Sequence, residues 1–552
     1  MSRVLWRGLL LVPLIFLGLF FFYPLASIFM VSLSPEGVLD LTGFTRLVSS
    51  RYYIDTILFT LFQATLSTLL TIALALPGAY VFTRYRFPGK SLLLSVITLP
   101  FVLPTIVVAA AFTALIGPRG ILNQILISAF SLPTPPIQLD RTLSIILIVH
   151  VFYNYAVALR IITGYWANLN PRIEQAAQVL GANSWNIWWR IRLPILRPAI
   201  MAAGALVFIF TFTSFGVVLL LGGPQYATVE VEIYRQAANL FNLQVAAALS
   251  LVQIGFMFVL MFVYTNLQRR ITSEVVSAQQ AVKTPRLLRE KVLVTGNIVF
   301  MALMLFTPLI ALVIQSFTVG GTGFTLEYYR LLGVNTRQSV LFVPPLEAIR
   351  NSVIFAGVTT VLAVGIGIIS AYLLIQRTRW SRLFDPVFML PLATSAVTLG
   401  FGFIIALDEP PLNLRQSAAL IPIAHTLVAM PFVIRSILPA LRSIPPNIRE
   451  AAAVLGASPL TIWRKIELPL ITRSILVGAT FAFTMSMGEF GASLFVARPE
   501  FPTIPIAIFR LIGQPGGANY GQALAMSSIL MLVSAVAFLL IERLRTTLVG
   551  EF

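Results

Sequence analysis

Few residues in this chain could do chemistry. Its 552 residues include two histidines, His150 and His425, and no cysteine. The missing thiols exclude disulfides, thiolate metal sites and a cysteine nucleophile. An imidazole can relay a proton or bind a metal. A metal-bound imidazole wants a carboxylate or carbonyl behind it, and no acidic cluster accompanies either histidine. The two occupy matching places in an internal repeat, so a structural role is expected, each ring hydrogen-bonding inside its own half. Glu489, in TMSMGEFGASLF, is the clearest carboxylate inside an apolar run. Such a charge is costly in a membrane and faces the interior or a cavity. Either a helix-packing hydrogen bond or a place on a solute path fits it. The stretch RYRFPGKS (84–91) ends like a phosphate-binding loop, but Arg84 stands where that loop needs its first glycine. It reads as a short basic turn. No residues support an enzyme, and none require a cofactor or a metal.

The elements that hold these groups are apolar helices. The chain is 58% hydrophobic and 11% charged, where soluble domains carry about 25% charged residues. Twelve apolar runs are long enough to cross a bilayer: about 9–33, 54–82, 92–115, 143–164, 199–221, 246–264, 292–316, 352–375, 384–407, 417–437, 475–497 and 523–541. The expected fold is an all-α polytopic membrane protein. The first run exceeds the roughly 7–15 residues of a signal-peptide core, so a retained span is expected. With the N-terminus in the cytoplasm, alternating spans place most of the 38 Lys and Arg inside, while the 20 acidic residues show no such bias. That is the positive-inside pattern, with both termini cytoplasmic. The net charge of +18 is then a topology signal, and a nucleic-acid partner is not expected.

From about residue 147 the first half matches the second at a constant offset of 275. His150 falls on His425, Arg160 on Arg435, Pro171 on Pro446, Gly181 on Gly456, Trp188 on Trp463, Pro194 on Pro469, and Phe215-Gly216 on Phe490-Gly491. Residues 171–200 share 14 identities in 30 with their counterparts. Each copy holds six spans, an even number, so the copies are parallel repeats related by an axis along the membrane normal. Residues 267–291, polar and basic, read as a cytoplasmic linker between 1–266 and 292–552.

The densest match lies in the loop between the fourth and fifth spans, 171–198 and 446–473. Its punctuation suggests two short helices. The first opens at Pro171 or Pro446 and stops at Gly181 or Gly456 in a left-handed conformation. The second is capped by Asn183 or Ser458 and ends before Pro194 or Pro469. It is short and aromatic: Trp185, Ile187, Trp188 and Trp189 in one copy, Leu460, Ile462 and Trp463 in the other. Apolar residues on a loop mean self-packing, a lipid-lying helix or a partner interface, and Trp and Arg are common interface anchors.

The pattern E-A-A, three residues, Gly, about nine residues, then I-x-L-P resembles the EAA loop of permease subunits in binding-protein-dependent ABC importers. The second copy fits as Glu450, Ala451, Ala452, Gly456, Ile466, Leu468 and Pro469. The first reads Gln175, Ala176, Ala177 and Gly181, with Glu174 one residue early. The resemblance implies that Gln175, Ala176, Ala177, Gly181, Trp185, Trp188 and Pro194, with Glu450, Ala451, Ala452, Gly456, Leu460, Trp463 and Pro469, couple to two copies of a separate ATPase subunit. It implies a translocation pathway near Ser214, Phe215, Gly216, Glu489, Phe490 and Gly491, a solute-binding protein as extracytoplasmic partner, and a bacterial plasma (inner) membrane location. Thr228–Arg235 and Thr503–Arg510 are expected outside, facing that binding protein. Two permease domains in one chain resemble the fused thiamine and ferric-iron permeases. The competing reading is a secondary transporter with parallel six-span repeats.

Overall fold

A computed structural model describes residues 11–34, 37–170, 172–273, 282–319, 322–335, 341, 343–376, 379–408, 410 and 412–549. Pro171 and residues 274–281 of the expected linker lie outside them. Among the described residues eleven helices are long and apolar enough to cross a membrane, or twelve if one bent pair counts as a single span. Six fall in the first half: Leu11–Leu33, Arg51–Arg84, Thr105–Phe130, Leu143–Ala167, Ser184–Phe212 and Leu243–Gln268. The second half has Leu288–Ser316, Pro345–Ile375, the bent pair Phe384–Ala393 with Ala396–Ala406, Leu420–Ser443, Pro459–Gly488 and Gly517–Leu544. Outward faces carry large apolar side chains such as Phe62, Leu69, Phe258, Val361 and Leu532. That composition belongs against lipid chains.

Four expected spans are not straight. The third run, expected at 92–115, breaks at Leu103-Pro104 into Lys90–Val102 and a helix starting at Thr105. Proline has no N–H to continue the ladder and pushes its predecessor out of the helical region; Leu103 sits at ψ 137° accordingly. The matching break in the second half bends the chain by 97°, and Ser395 caps the new helix there by accepting from the Val397 N–H. The fifth spans break as well. Helix Leu193–Phe212 gives way at Thr213-Ser214 to Phe215–Leu221, and Leu468–Gly488 gives way at Glu489-Phe490 to Gly491–Val496.

The halves embrace each other. The first span packs on Ala396–Ala406 of the second half, and Leu288–Ser316 packs on Thr105–Ile116 of the first. The largest buried cluster therefore draws on both halves, joining Ile28, Val107 and Val217 to Leu305, Val397, Phe490 and Met526. Lipid offers little hydrophobic drive for helix association, so close packing at small residues must supply it. At Gly402 an added Cβ would lie 3.1 Å from Pro24 Cβ and 3.2 Å from Ile28 Cδ1.

Candidate functional site

Both loops are built on one backbone plan. The first helices span Arg172–Val179 and Pro446–Val454. Each ends at a glycine with φ +82°. The N–H of Ala182 reaches the Ala177 carbonyl and that of Gly181 the Gln178 carbonyl; Ala457 and Gly456 repeat this onto Ala452 and Ala453. This paired closure satisfies the last carbonyls and needs a left-handed residue, hence glycine. Asn183 and Ser458 then cap the next helices, accepting from the Asn186 and Thr461 N–H groups at 2.8 and 3.3 Å.

The second helix does not end before the proline, as the sequence suggested. It continues as Ser184–Phe212 in one half and Pro459–Gly488 in the other. The turns at Trp188–Arg192 and Trp463–Glu467 widen to π-helical form, and Pro194 and Pro469 fall within the first two positions of the α-helix that follows. A proline at such a position costs little, because the first N–H groups of an α-helix have no partner in that helix. The consequence is a single rod from loop to span.

The predicted loop residues divide into two faces. Val179, Leu180, Val454 and Leu455 are 87–88% exposed, and Trp185 and Leu460 stand out with them. Gln175, Ala176, Gly181 and Pro194 are exposed, as are Glu450, Ala451, Gly456 and Pro469; Ala177 and Ala452 are half-buried. Trp188 and Trp463 turn inward. The Trp188 ring packs against Tyr80 and Trp166, and Trp463 joins the second half's core.

Ion pairs fasten each loop to its own half. Buried Glu174 takes a two-pronged contact from Arg192, at 2.8 and 2.9 Å, and a third from Arg84 at 2.8 Å. In the second half Arg449 pairs with Glu467, which also accepts from the Tyr372 hydroxyl at 2.6 Å. At the 275-residue offset Glu174 lies over Arg449 and Arg192 over Glu467: the same pair with its charges exchanged. Glu174 is therefore an internal anchor, and its place one residue before Gln175 follows from that role. Burial pushes its carboxyl up, but Arg192 and Arg84 outweigh burial and hold it below the ordinary value. Tyr80 and Tyr372 occupy matching places in Gly-Ala-Tyr and Ser-Ala-Tyr. Tyr80 gives its ring face to the Arg192 guanidinium, 5.3 Å from the centroid, where Tyr372 gives its hydroxyl to a carboxylate.

At the far end of the two rods, the broken third and fifth spans enclose a cavity of about 410 Å³. Ser214, Phe215, Gly216, Glu489, Phe490 and Gly491 all line it, with Pro104, Thr105, His150, Glu230 and Ser395. Phe215 and Phe490 stack across the halves with centroids 5.8 Å apart. A Cβ on Gly216 would overlap Thr105 Oγ1, and one on Gly488 would lie 2.8 Å from Pro104 Cγ. Only glycine allows these approaches.

Both histidines bond within their own half. His150 bridges Ser67 through Nδ1 and Ser214 through Nε2, at 2.9 and 2.8 Å. His425 bridges Ser486 and Ser493 at 2.7 and 2.8 Å and lies 3.3 Å from Glu489. Glu489 accepts from the Ala492 and Ser493 N–H groups and the Ser493 hydroxyl, tying the broken fifth span to its continuation.

A further expectation is overturned. The segment Val229–Tyr234 is not an exposed outer cap: Thr228, Glu230 and Glu232 are at most 2% exposed, and Thr503 and Ile504–Ile508 are likewise buried. The chain folds these segments back into the interior, and Glu230 reaches the cavity. No hydropathy signal separates such an inserted turn from a surface loop carrying two glutamates.

The profile of the binding-protein-dependent transport system inner membrane component family matches residues 67–273 and again 363–548. The chain belongs to that family. Duplicated within one chain, its domain makes this a fused ABC importer permease of the type I class. The thiamine transport system permease protein ThiP of Escherichia coli (strain K12) is 27% identical, covering 88% of each chain. ThiP of Brucella abortus (strain 2308) is 26% identical over 82% of this chain and 81% of its own. The ferric transport system permease protein FbpB of Actinobacillus pleuropneumoniae is 24% identical over 97% of this chain and 77% of its own. Among solved structures, a bacterial alginate ABC transporter in complex with an alginate pentasaccharide-bound periplasmic protein is 21% identical, covers 49% of this chain and 96% of its own, and has a TM-score of 0.41. This inner membrane component is thus a multi-pass transport subunit related to thiamine and ferric permeases.

Proposed function

We propose that this permease forms the solute pathway of an ATP-driven importer and is driven through its two loops by two copies of a separate ATPase subunit. The observation that carries this reading is the unbroken rod in each half. Ser184–Phe212 and Pro459–Gly488 each join an exposed apolar knuckle at one end to the break beside the cavity at the other. At about 1.5 Å per residue, such a helix passes a displacement of the loop to the pathway. An exposed Val-Leu pair in each loop suits an apolar partner groove. Both loops, both termini and the linker face the cytoplasm in this reading, with 1–266 and 292–552 as the two permease domains of a bacterial inner membrane protein. A solute-binding protein delivers cargo on the opposite side. The kinship with ThiP favours thiamine or its phosphates as solute, with ferric iron second.

The test is reconstitution in liposomes with the cognate ATPase and binding protein. The reading expects ATP hydrolysis stimulated by the thiamine-loaded binding protein, with thiamine accumulating inside. Uptake driven by a proton or sodium gradient, with no ATPase co-purifying, would instead establish a secondary transporter.

A further inference from the structure

We propose that the cavity between the halves is itself a binding site for an aromatic organic cation, with Glu230 meeting the charge and the Phe215–Phe490 pair offering aromatic faces. This rests on the reading of the cavity as the solute path. Its volume of about 410 Å³ falls in the ordinary range of small-molecule sites. Tyr153, Phe101, Phe210 and Phe432 add further rings to the wall, and aromatic faces attract cations that shed water. Among the described lining residues there are two carboxylates and no Lys or Arg, in a chain of net charge +18.

The two carboxylates differ. Both Glu489 oxygens are engaged by Ala492 and Ser493, with His425 at 3.3 Å. Glu230 is 2% exposed, and its hydrogen-bond partners, Gln253 and Ser395, are uncharged. Gln253 donates to Oε1 at 2.6 Å, and Ser395 of the second half adds a side-chain hydrogen bond. Neither neighbour is a cation, so this buried acid has no charge partner of its own among the described lining residues. A buried carboxylate is stabilised by a cation beside it. The repeat gives it no structural counterpart: the 275-residue offset places Pro505 there. A group needed only to pack the re-entrant turn would not have to be an acid on one side alone.

The experiment is equilibrium dialysis of thiamine against the purified permease–ATPase complex without binding protein, for wild type and Glu230→Gln. Glutamine keeps the size and the acceptor for Gln253 and removes the charge. The dissociation constant should rise at least tenfold in the variant. Thiochrome, the neutral oxidised form of thiamine, should bind both proteins alike. Equal thiamine affinity in the two proteins overturns the inference, as does parallel loss of thiochrome binding or the absence of any wild-type binding. Wild-type uptake in liposomes separates the layers. If thiamine is transported while Glu230→Gln binds it normally, only this inference falls. If ferric iron is transported and thiamine is not, the substrate reading falls and this inference with it.

Discussion

In the first half, helix Arg172–Val179 presents Glu174 to Arg192 and Arg84; in the second, Pro446–Val454 presents Arg449 to Glu467 and Tyr372. The geometry is shared and the signs are opposite. A buried charge must be paired, and that requirement is indifferent to which helix carries the acid. The surroundings have adjusted to each sign. An arginine in the centre meets a tyrosine face, a glutamate in the centre meets a tyrosine hydroxyl. The breaks beside the cavity follow the same logic. Pro104 and Ser395 open equivalent helices, one by lacking an N–H and the other by capping. Ser214 and Glu489 stand at equivalent positions beside the Nε2 atoms of His150 and His425. The two halves conserve contacts while changing their chemistry.

The anchors offer the strongest way to break this comparison. Reversing one partner, as in Glu174→Arg or Glu467→Arg, leaves like charges buried together and should cost about 3 kcal/mol or more, abolishing coupled ATP hydrolysis. The double reversal Arg449→Glu with Glu467→Arg should restore much of the activity, since it copies the first half. The reciprocal Glu174→Arg with Arg192→Glu should restore less, because Arg84 would then face a new arginine. Equal rescue in both halves would show that the third charge is idle.

The exposed knuckles come next. Leu180→Asp and Leu455→Asp should leave expression and melting temperature unchanged, since both sites are 87% exposed, yet lower binding-protein-stimulated ATPase severalfold. Intact stimulation would remove these residues from the proposed ATPase contact. Trp463→Glu, by contrast, should lower the melting temperature, because that ring packs into its own half.

Acid should loosen the anchor of the first half. The folded Glu174 carboxyl sits below its ordinary 4.5, so its contribution is complete above about pH 4.5 and is lost as pH falls through the lower folded value. The hydrogen-exchange protection factor across 172–192, which corrects for the intrinsic pH dependence of exchange, should therefore hold at pH 5 and fall on further acidification. An unchanged protection factor down to pH 3 would count against the anchor.

The smallest effect is expected at the glycines. Gly181→Ala and Gly456→Ala meet no neighbour within 4 Å, so only the left-handed backbone is strained, by about 1 kcal/mol. The two losses of stability should be equal. A large difference would mean that the loops are not the shared scaffold their backbones indicate.

Much of this was legible in the residues. Helix stops at Gly181 and Gly456 and caps at Asn183 and Ser458 follow from local rules, because a left-handed turn and an unpaired N–H are local problems. The continuation through Pro194 was not legible, since a π-helical turn differs from a broken helix only in three dimensions. The charge exchange was written at the offset, E over R and R over E, but the partners lie 18 residues apart in sequence, and their contact depends on how the rod returns beside the first helix. Glu230 was read as outside because polarity in a short loop usually means solvent.

The sequence by itself determined the membrane class, the duplication and the doubled loop, because hydropathy, offset and glycine placement are properties of the chain taken one stretch at a time. Tertiary structure alone decided which loop residues face out, which charges pair, and that four broken spans from two halves meet around one cavity. Those outcomes depend on segments far apart in sequence competing for the same buried volume, where an unpaired charge or a misplaced Cβ is decided by its neighbours in space.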